Sequence, residues 1–147
     1  MIRVSTGMKQ RVMAELGAMN ALQYGIIDIY TGSQPDSAND APTGQHIARV
    51  TQGGVSFTPG SIAGGLVLTP DSGGELRRHG QWVLKGLDTG TAGWFRWKPN
   101  QQDPNDANAS RVRIDGAVGR ELVLDDPEIT PTTEVTIQGV RLYLDNF

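Results

Sequence analysis

The sequence predicts a mainly β fold: an antiparallel β-sandwich, jelly-roll or Ig-like, with one N-terminal α-helix. Three observations carry that expectation. The apolar period is helical up to Tyr24 and becomes a two-residue period after Gly25. From Ile26 onward, short alternating segments are separated by Gly-Gly, Asp-Pro and proline-rich turns. The chain also holds 19 glycines and 8 prolines among 147 residues, above the average combined usage of about 12%. The length suits one domain with a core of its own. Residues 1–147 are therefore read as a single domain, with a helix over 6–24 and a sandwich over 26–147.

The helix is predicted from Met8, Val12, Leu16, Met19 and Leu22, whose spacing of three or four places them on one face. Ser5 or Thr6 can cap its first amides with a side-chain oxygen. Gly25 suits the position after the last turn, where a left-handed residue is common. Gly17, inside the expected helix, weakens it by up to about 1 kcal/mol relative to alanine. Tertiary packing must then hold it.

The candidate strands are residues 26–30, 46–51, 66–69, 81–87, 93–98, 111–114, 121–124 and 134–144. In Arg111-Val-Arg-Ile-Asp115 the alternation turns Val112 and Ile114 inward and the charges outward. In the last segment, Val135 and Ile137 share one parity while Val140, Leu142 and Leu144 share the other. Such a switch moves every later side chain to the opposite face. It predicts a β-bulge or kink at Gly139. No internal repeat is present.

Net charge and composition exclude several function classes. At a net charge of −3 the chain lacks the basic character on which non-specific nucleic-acid affinity depends, so nucleic acid is not expected as a partner. No apolar run approaches the roughly 18 residues needed to span a bilayer, and no membrane partner is expected. The opening MIRVSTGMKQRVMAEL lacks the apolar core and small-residue cleavage site of a secretory signal. With no cysteine, thiol catalysis and cysteine-held metals are out.

Two loops exceed the usual connection length, 32–44 and 99–110, and are expected to be functional, mobile or packed at an interface. Both are rich in Asp and Asn. Neither fits a calcium-binding EF-hand loop: counted from Asp36, the positions that need oxygen ligands or glycine fall on Ala38, Ala41 and Ile47, and counted from Asp103 they fall on Ala107 and Ile114. Turn-forming Asp and Asn explain the composition more simply. Gly86-Leu-Asp-Thr-Gly-Thr91 resembles the active-site signature of retroviral-type aspartic proteases, in which paired aspartates share a proton, and Val118-Gly-Arg120 echoes a second element. The separation from Asp88 to Gly119 is about half of what that fold uses, no flap follows, and a turn at 88–90 is the simpler account.

Trp82, Trp94 and Trp97, with Tyr30, could instead form a sugar-stacking platform. Trp94 and Trp97 must lie on opposite sides of one strand, so core packing is favoured for at least one of them. His46 and His79 are isolated from other ligating residues in the sequence. No serine elbow, phosphate loop or dinucleotide turn is present, and Asp125-Asp-Pro127 is simplest as a turn. The expected sets of catalytic residues, metal ligands and cofactors are all empty.

A series of segments in fixed order adds to this reading. A short helix follows Ser5-Thr-Gly7, and Gly-Ile-Ile-Asp-Ile-Tyr-Thr-Gly-Ser-Gln-Pro runs over 25–35. An acidic, Ala-rich loop ends at Thr43-Gly44. Then come Gly90-Thr-Ala-Gly-Trp-Phe-Arg96, Ile114-Asp-Gly-Ala-Val-Gly119, Leu122-Val-Leu124 with Ile129-Thr130, and Val135-Thr-Ile137. Over nearly the whole chain this order resembles a family of small virion proteins of tailed bacteriophages. The resemblance implies a β-sandwich structural component and not an enzyme, and no catalytic residue carries over. Residues 70–80 and the loop 99–110 depart from the pattern and mark surfaces particular to this chain.

The expected function is accordingly that of a non-enzymatic virion structural protein, foremost a capsid decoration or cement protein docking on a symmetric assembly. The alternatives are a neck or tail accessory, such as a collar or fibre anchor, and a carbohydrate-binding module for host-surface sugars. Expected partners are other virion proteins, either the major capsid protein or neck and tail proteins, and further copies of the chain in a homo-oligomer. The expected location is the virion, assembled in the host cytoplasm. The N-terminal helix either docks on the assembly or covers one end of the sandwich.

Overall fold

Alternating side chains build one broad sheet in which a row of apolar residues lies beside a row of charged ones. The computed structural model describes residues 1–8, 17–70 and 76–140. Its strands are β1 (Arg3–Val4), β2 (Ile26–Thr31), β3 (His46–Gln52), β4 (Val67–Pro70), β5 (Leu76–His79), β6 (Trp82–Gly86), β7 (Gly90–Lys98), β8 (Ile114–Ala117), β9 (Glu128–Ile129) and β10 (Glu134–Ile137), with a short helix α1 (Gly17–Leu22). Among the described residues, eight strands join one sheet in the order β1-β8-β7-β2-β3-β6-β10, with β9 paired to one end of β7, and β4 and β5 form a separate two-stranded ladder. These strand pairs are antiparallel. The fold is thus mainly β and antiparallel, with little helix among the described residues.

In register across the sheet run Val4, Ile114, Trp97, Ile27, Val50, Leu84 and Val135. One residue along, on the opposite face, run Arg3, Asp115, Arg96, Asp28, Arg49, Lys85 and Glu134. The first row carries the core, in which Ile27, Val50, Leu84, Trp97 and Ile114 pack with Leu22 of α1 and with Leu66 and Leu68 at β4. Burying each such side chain contributes roughly 1.5–3 kcal/mol. The helix is tied to β4 by a side-chain amide acting as a piece of ladder: Gln23 Nε2 donates to the Leu68 carbonyl at 3.0 Å, and the Leu68 amide donates to Gln23 Oε1 at 2.6 Å. Trp82 meets Trp97 edge-on at 5.5 Å and donates its indole N–H to the Val67 carbonyl. Isolated bridges link Val118 to Leu122 and Leu122 to Val140. They join the chain just after β8 to the chain just after β10, so the sheet curls toward its apolar face.

Several expectations need correction. A single helix over 6–24 is not formed. Residues 6–8 are helical and α1 begins at Gly17, whose φ of 75° lies in the left-handed region that an α-helix cannot pass through; residues 9–16 lie outside the described ones. Tyr24, at φ 61°, takes the left-handed position expected of Gly25. Gly25 is needed for a different reason, because a Cβ there would stand 2.0 Å from the Lys98 carbonyl oxygen. The cap at Ser5 forms as expected, with the Met8 amide donating to Ser5 Oγ at 3.0 Å.

Residues 111–113 are not a strand. The Ser5 side chain takes a place in the ladder there, donating to the Arg111 carbonyl and accepting from the Arg113 amide, and regular pairing starts only at Ile114. Residues 121–124 are not a strand either. A tight turn around Gly119 folds Glu121 back to accept from the Ala117 amide at 2.9 Å, leaving Leu122 a single bridge on each side. The last strand stops at Ile137, and Gly139 has φ 129°, a kink where the parity switch puts it. The rest of its expected range, residues 141–144, like residues 71–75 of the polar 70–80 segment, lies outside the described residues. Strands β1, β5 and β9 have no counterpart in the sequence expectation.

Candidate functional site

The charges flanking Ile114 were expected to face water, and they do not. Arg113 and Asp115 are each 0% exposed, as are Asp28 and Arg96. The alternation is real, but the second face of the sheet is covered as well, chiefly by the two long loops.

Arg113 is the pivot. Its Nε and Nη2 donate to both carboxylate oxygens of Asp103 at 2.8 and 2.7 Å, a bidentate geometry in which the pair is strongest. Its Nη1 points at the carbonyls of Ala38, Asn39 and Asp40, 3.3–3.5 Å away. One guanidinium therefore holds the loop 99–110 by a side chain and the loop 32–44 by its backbone. The loops also grip each other and the sheet: the Asn108 amide donates to the Asn39 carbonyl at 2.7 Å, Arg3 Nη1 to the Pro35 carbonyl at 2.9 Å, and Trp94 Nε1 to the Thr43 carbonyl at 3.1 Å. Asn39 and Thr6 exchange two hydrogen bonds across the same seam.

Beneath the loops the row is an ionic layer. Arg96 donates to both oxygens of Asp115 at 2.8 Å, and its guanidinium carbon lies 5.5 Å from the Trp94 ring centre. Trp94 in turn stacks on Tyr30 at 4.6 Å. Asp28 is the second node: Lys98 Nζ lies 2.7 Å from Oδ2, Arg49 Nε 2.7 Å from Oδ1 and His46 Nε2 2.9 Å from Oδ1. Burial alone would raise the Asp28 pKa. The close approach of His46, the charge of Lys98 and the hydrogen bonds and charge of Arg49 together outweigh it and hold the carboxyl far below the usual carboxylate range. Asp103 is lowered in the same way, burial being overcome by Arg113 and by the Asn105 amide. Asp115, also fully buried, is pushed up by burial although Arg96 opposes the shift. Tyr30 is raised above its ordinary value by burial and by the Asp28 charge.

Chemically this layer fastens. Asp28, Asp103 and Asp115 each face cations within hydrogen-bond distance, and the bonds lead from the sheet to the loops. Among the described residues no group of three or more His, Cys, Asp or Glu could hold a metal ion, and Asp103 of the acidic loop is committed to Arg113. Asp88, the aspartate of the protease-like signature, sits in an exposed turn, accepting from Gln45 Nε2 and from the Thr89 amide. Among the described residues no second aspartate joins Asp88. Asp125, Asp126 and His79 are exposed.

The sugar-platform reading does not survive the geometry. Trp82, Trp94, Trp97 and Tyr30 are 1%, 0%, 2% and 4% exposed, with Trp97 and Trp82 in the core and Trp94 under the loops. Acrylamide should therefore quench the native tryptophan fluorescence only weakly, and fully only after denaturation; strong quenching of the folded protein would contradict this burial.

Asp28, Arg49, Arg96, Lys98, Arg113 and Asp115 were not foreseen as a unit. A signal was present in Ile27-Asp-Ile29, in Phe95-Arg-Trp97 and in Val112-Arg-Ile-Asp115. Charges set singly inside apolar strand segments, of opposite sign on different segments, are what a buried cross-strand ionic row requires. No helix among the described residues is long and apolar enough to cross a membrane. Comparison with protein-family models, with curated proteins and with solved structures finds no match for this chain.

Proposed function

We propose that the chain is a non-enzymatic structural protein of a tailed-bacteriophage virion, a capsid decoration or cement protein that docks as a homo-oligomer on a symmetric assembly. The resemblance over nearly the whole chain is the starting point. One structural observation carries it further: the buried charged groups are used to fix two long loops, which makes a rigid outer surface of segments that would otherwise move. A subunit that works by docking gains from such preorganisation, because ordering loops on binding costs affinity.

In the finer architecture of this proposal, the curled eight-stranded sheet is one layer of a β-sandwich, and the β4–β5 ladder with α1 closes the other side of the core. The helix then covers the core, the second of the two roles open to it, since Leu22 and Gln23 are engaged by β4. The partners are virion proteins, with the capsid shell preferred to the neck and tail. Burial of the tryptophans removes the support for a sugar-binding module.

Mass spectrometry of purified particles should find the chain in fixed stoichiometry, and a label fused to it should appear at repeated lattice points on the head. Absence from purified particles would overturn the virion reading as a whole. Labels confined to the neck or tail would overturn the decoration assignment.

A further inference from the structure

The charged row alternates in sign except at one step. From β1 to β10 it reads Arg3, Asp115, Arg96, Asp28, Arg49, Lys85, Glu134. Arg49 and Lys85 are direct cross-strand neighbours of like charge, an arrangement that costs free energy in a sheet. The break falls where the face opens. Arg96 and Asp115 are sealed, whereas Arg49 and Lys85 line a groove of about 350 Å³ together with Thr51, Val55, Phe57 and Leu87.

Arg49 is held in place with capacity to spare, and among the described residues Lys85 is left without a counter-charge. Asp28 fixes Arg49 through Nε and Nη2, and Arg49 Nη1 donates to nothing among the described residues. The Lys85 stem lies against the bare backbone of Gly54, where a Cβ would come within 2.9 Å of Lys85 Cε. Lys85 makes no ion pair among the described residues; Glu134 is its neighbour in register but is not within ion-pair distance. Beside the cations stand Val55 and Leu87, 55% and 54% exposed. The surface that fits is a carboxylate with an aliphatic side chain next to it.

The chain carries that surface elsewhere. Val123 is 64% exposed, and Asp125 and Asp126 beside it are exposed. Asp126 accepts from the Glu128 amide, while Asp125 has no hydrogen bond or ion pair among the described residues. Of the other exposed apolar residues outside the groove, Met1 and Ile62 have no acidic neighbour within two positions, and Val135 borders Glu134 of the row itself.

We propose that the Arg49–Lys85 groove receives a second copy of this chain, which places its Asp125 carboxylate between the two cations and its Val123 against Val55 and Leu87. The contact is heterologous, a groove on one copy and a turn on the next. Repeated, it generates a ring or a filament. It deepens the assembly reading above and rests on it only for its biological setting. The test uses purified protein in solution, so a failure to find the chain in virions and a failure of this contact are separate results.

Sedimentation of the full chain over a wide concentration range should show reversible association. Lys85→Glu and Asp125→Lys should each weaken it by roughly tenfold or more, as charge reversal at a central contact does. Mixing the two variants should restore association, because one retains an intact groove and the other an intact turn. Both residues are exposed, so unfolding midpoints should stay at the parent value; Lys85→Gln replaces the glutamate variant if its midpoint moves. A chain that stays monomeric throughout overturns the proposal. So does association that Lys85→Glu leaves unchanged, or variants whose mixture stays monomeric.

Discussion

Replacing Arg113 with alanine is expected to lower the unfolding free energy by about 3–5 kcal/mol, the usual cost of removing one partner from a buried ion pair. The reason lies in what is left behind. Asp103, 5% exposed in its side chain, would keep a charge with its bidentate donor gone. The carbonyls of Ala38, Asn39 and Asp40 would lose a shared donor. Buried groups stripped of partners cost more than the net worth of the bonds they made. The measurement is a urea titration of parent and variant, with amide hydrogen exchange resolved by segment. Exchange should accelerate over 32–44 and 99–110 together, because one side chain secures both. Arg113→Lys keeps the charge but not the planar fork and should fall between the two, which keeps the test informative if the alanine variant does not fold. A loss below about 1 kcal/mol with both loops still protected would mean that the loops hold themselves.

The same loops show how far the sequence could be read. Period, turn residues and caps are local signals, and several expectations that rest on them came out: β2, β3, β6 and β7 fall within a residue or a few of their expected ranges, the Ser5 cap forms, and Gly139 takes a positive φ where the parity switches. Expectations that needed knowledge of distant segments went astray. Alternation identified two faces at Val112–Asp115 but could not say that both would be covered. That depends on Ala38 and Asp103 arriving from loops remote in sequence. For the same reason 111–113 reads as strand, when its ladder partner is in part the hydroxyl of Ser5, more than a hundred residues earlier. The helix failed differently. Its apolar face is well patterned, but the pattern is blind to backbone sign, and Gly17 takes a φ that interrupts the helix. The loop 32–44 carries no chemistry in its own sequence, yet its backbone carbonyls are acceptors for Arg3, Trp94 and Arg113.

Changing Asp28 to asparagine is expected to cost about 3–5 kcal/mol near neutral pH, and the cost should fade in acid. Asp28 is the counter-charge for Lys98 and Arg49 at once, 2.7 Å from each, so its loss strips a 5% exposed lysine of the carboxylate it pairs with. The pH dependence follows from the direction of its shift. A carboxyl whose folded pKa is depressed gives stability that is complete above the unfolded value, near 3.9, and is lost as pH falls through the folded value. Asp28 and Asp103 both have that sign. Asp115 has the opposite sign: burial raises its pKa, so protonation relieves a cost in the folded state and offsets part of the loss. With two groups on one side and one on the other, the parent should be flat in stability from about pH 7 down to about 5 and fall steeply below about pH 4. The asparagine variant should start lower and fall less, so the two curves converge in acid. Urea midpoints collected across that range decide the matter. Parallel curves, with a gap that persists at low pH, would show that the Asp28 charge is not what holds Lys98 and Arg49 in the layer.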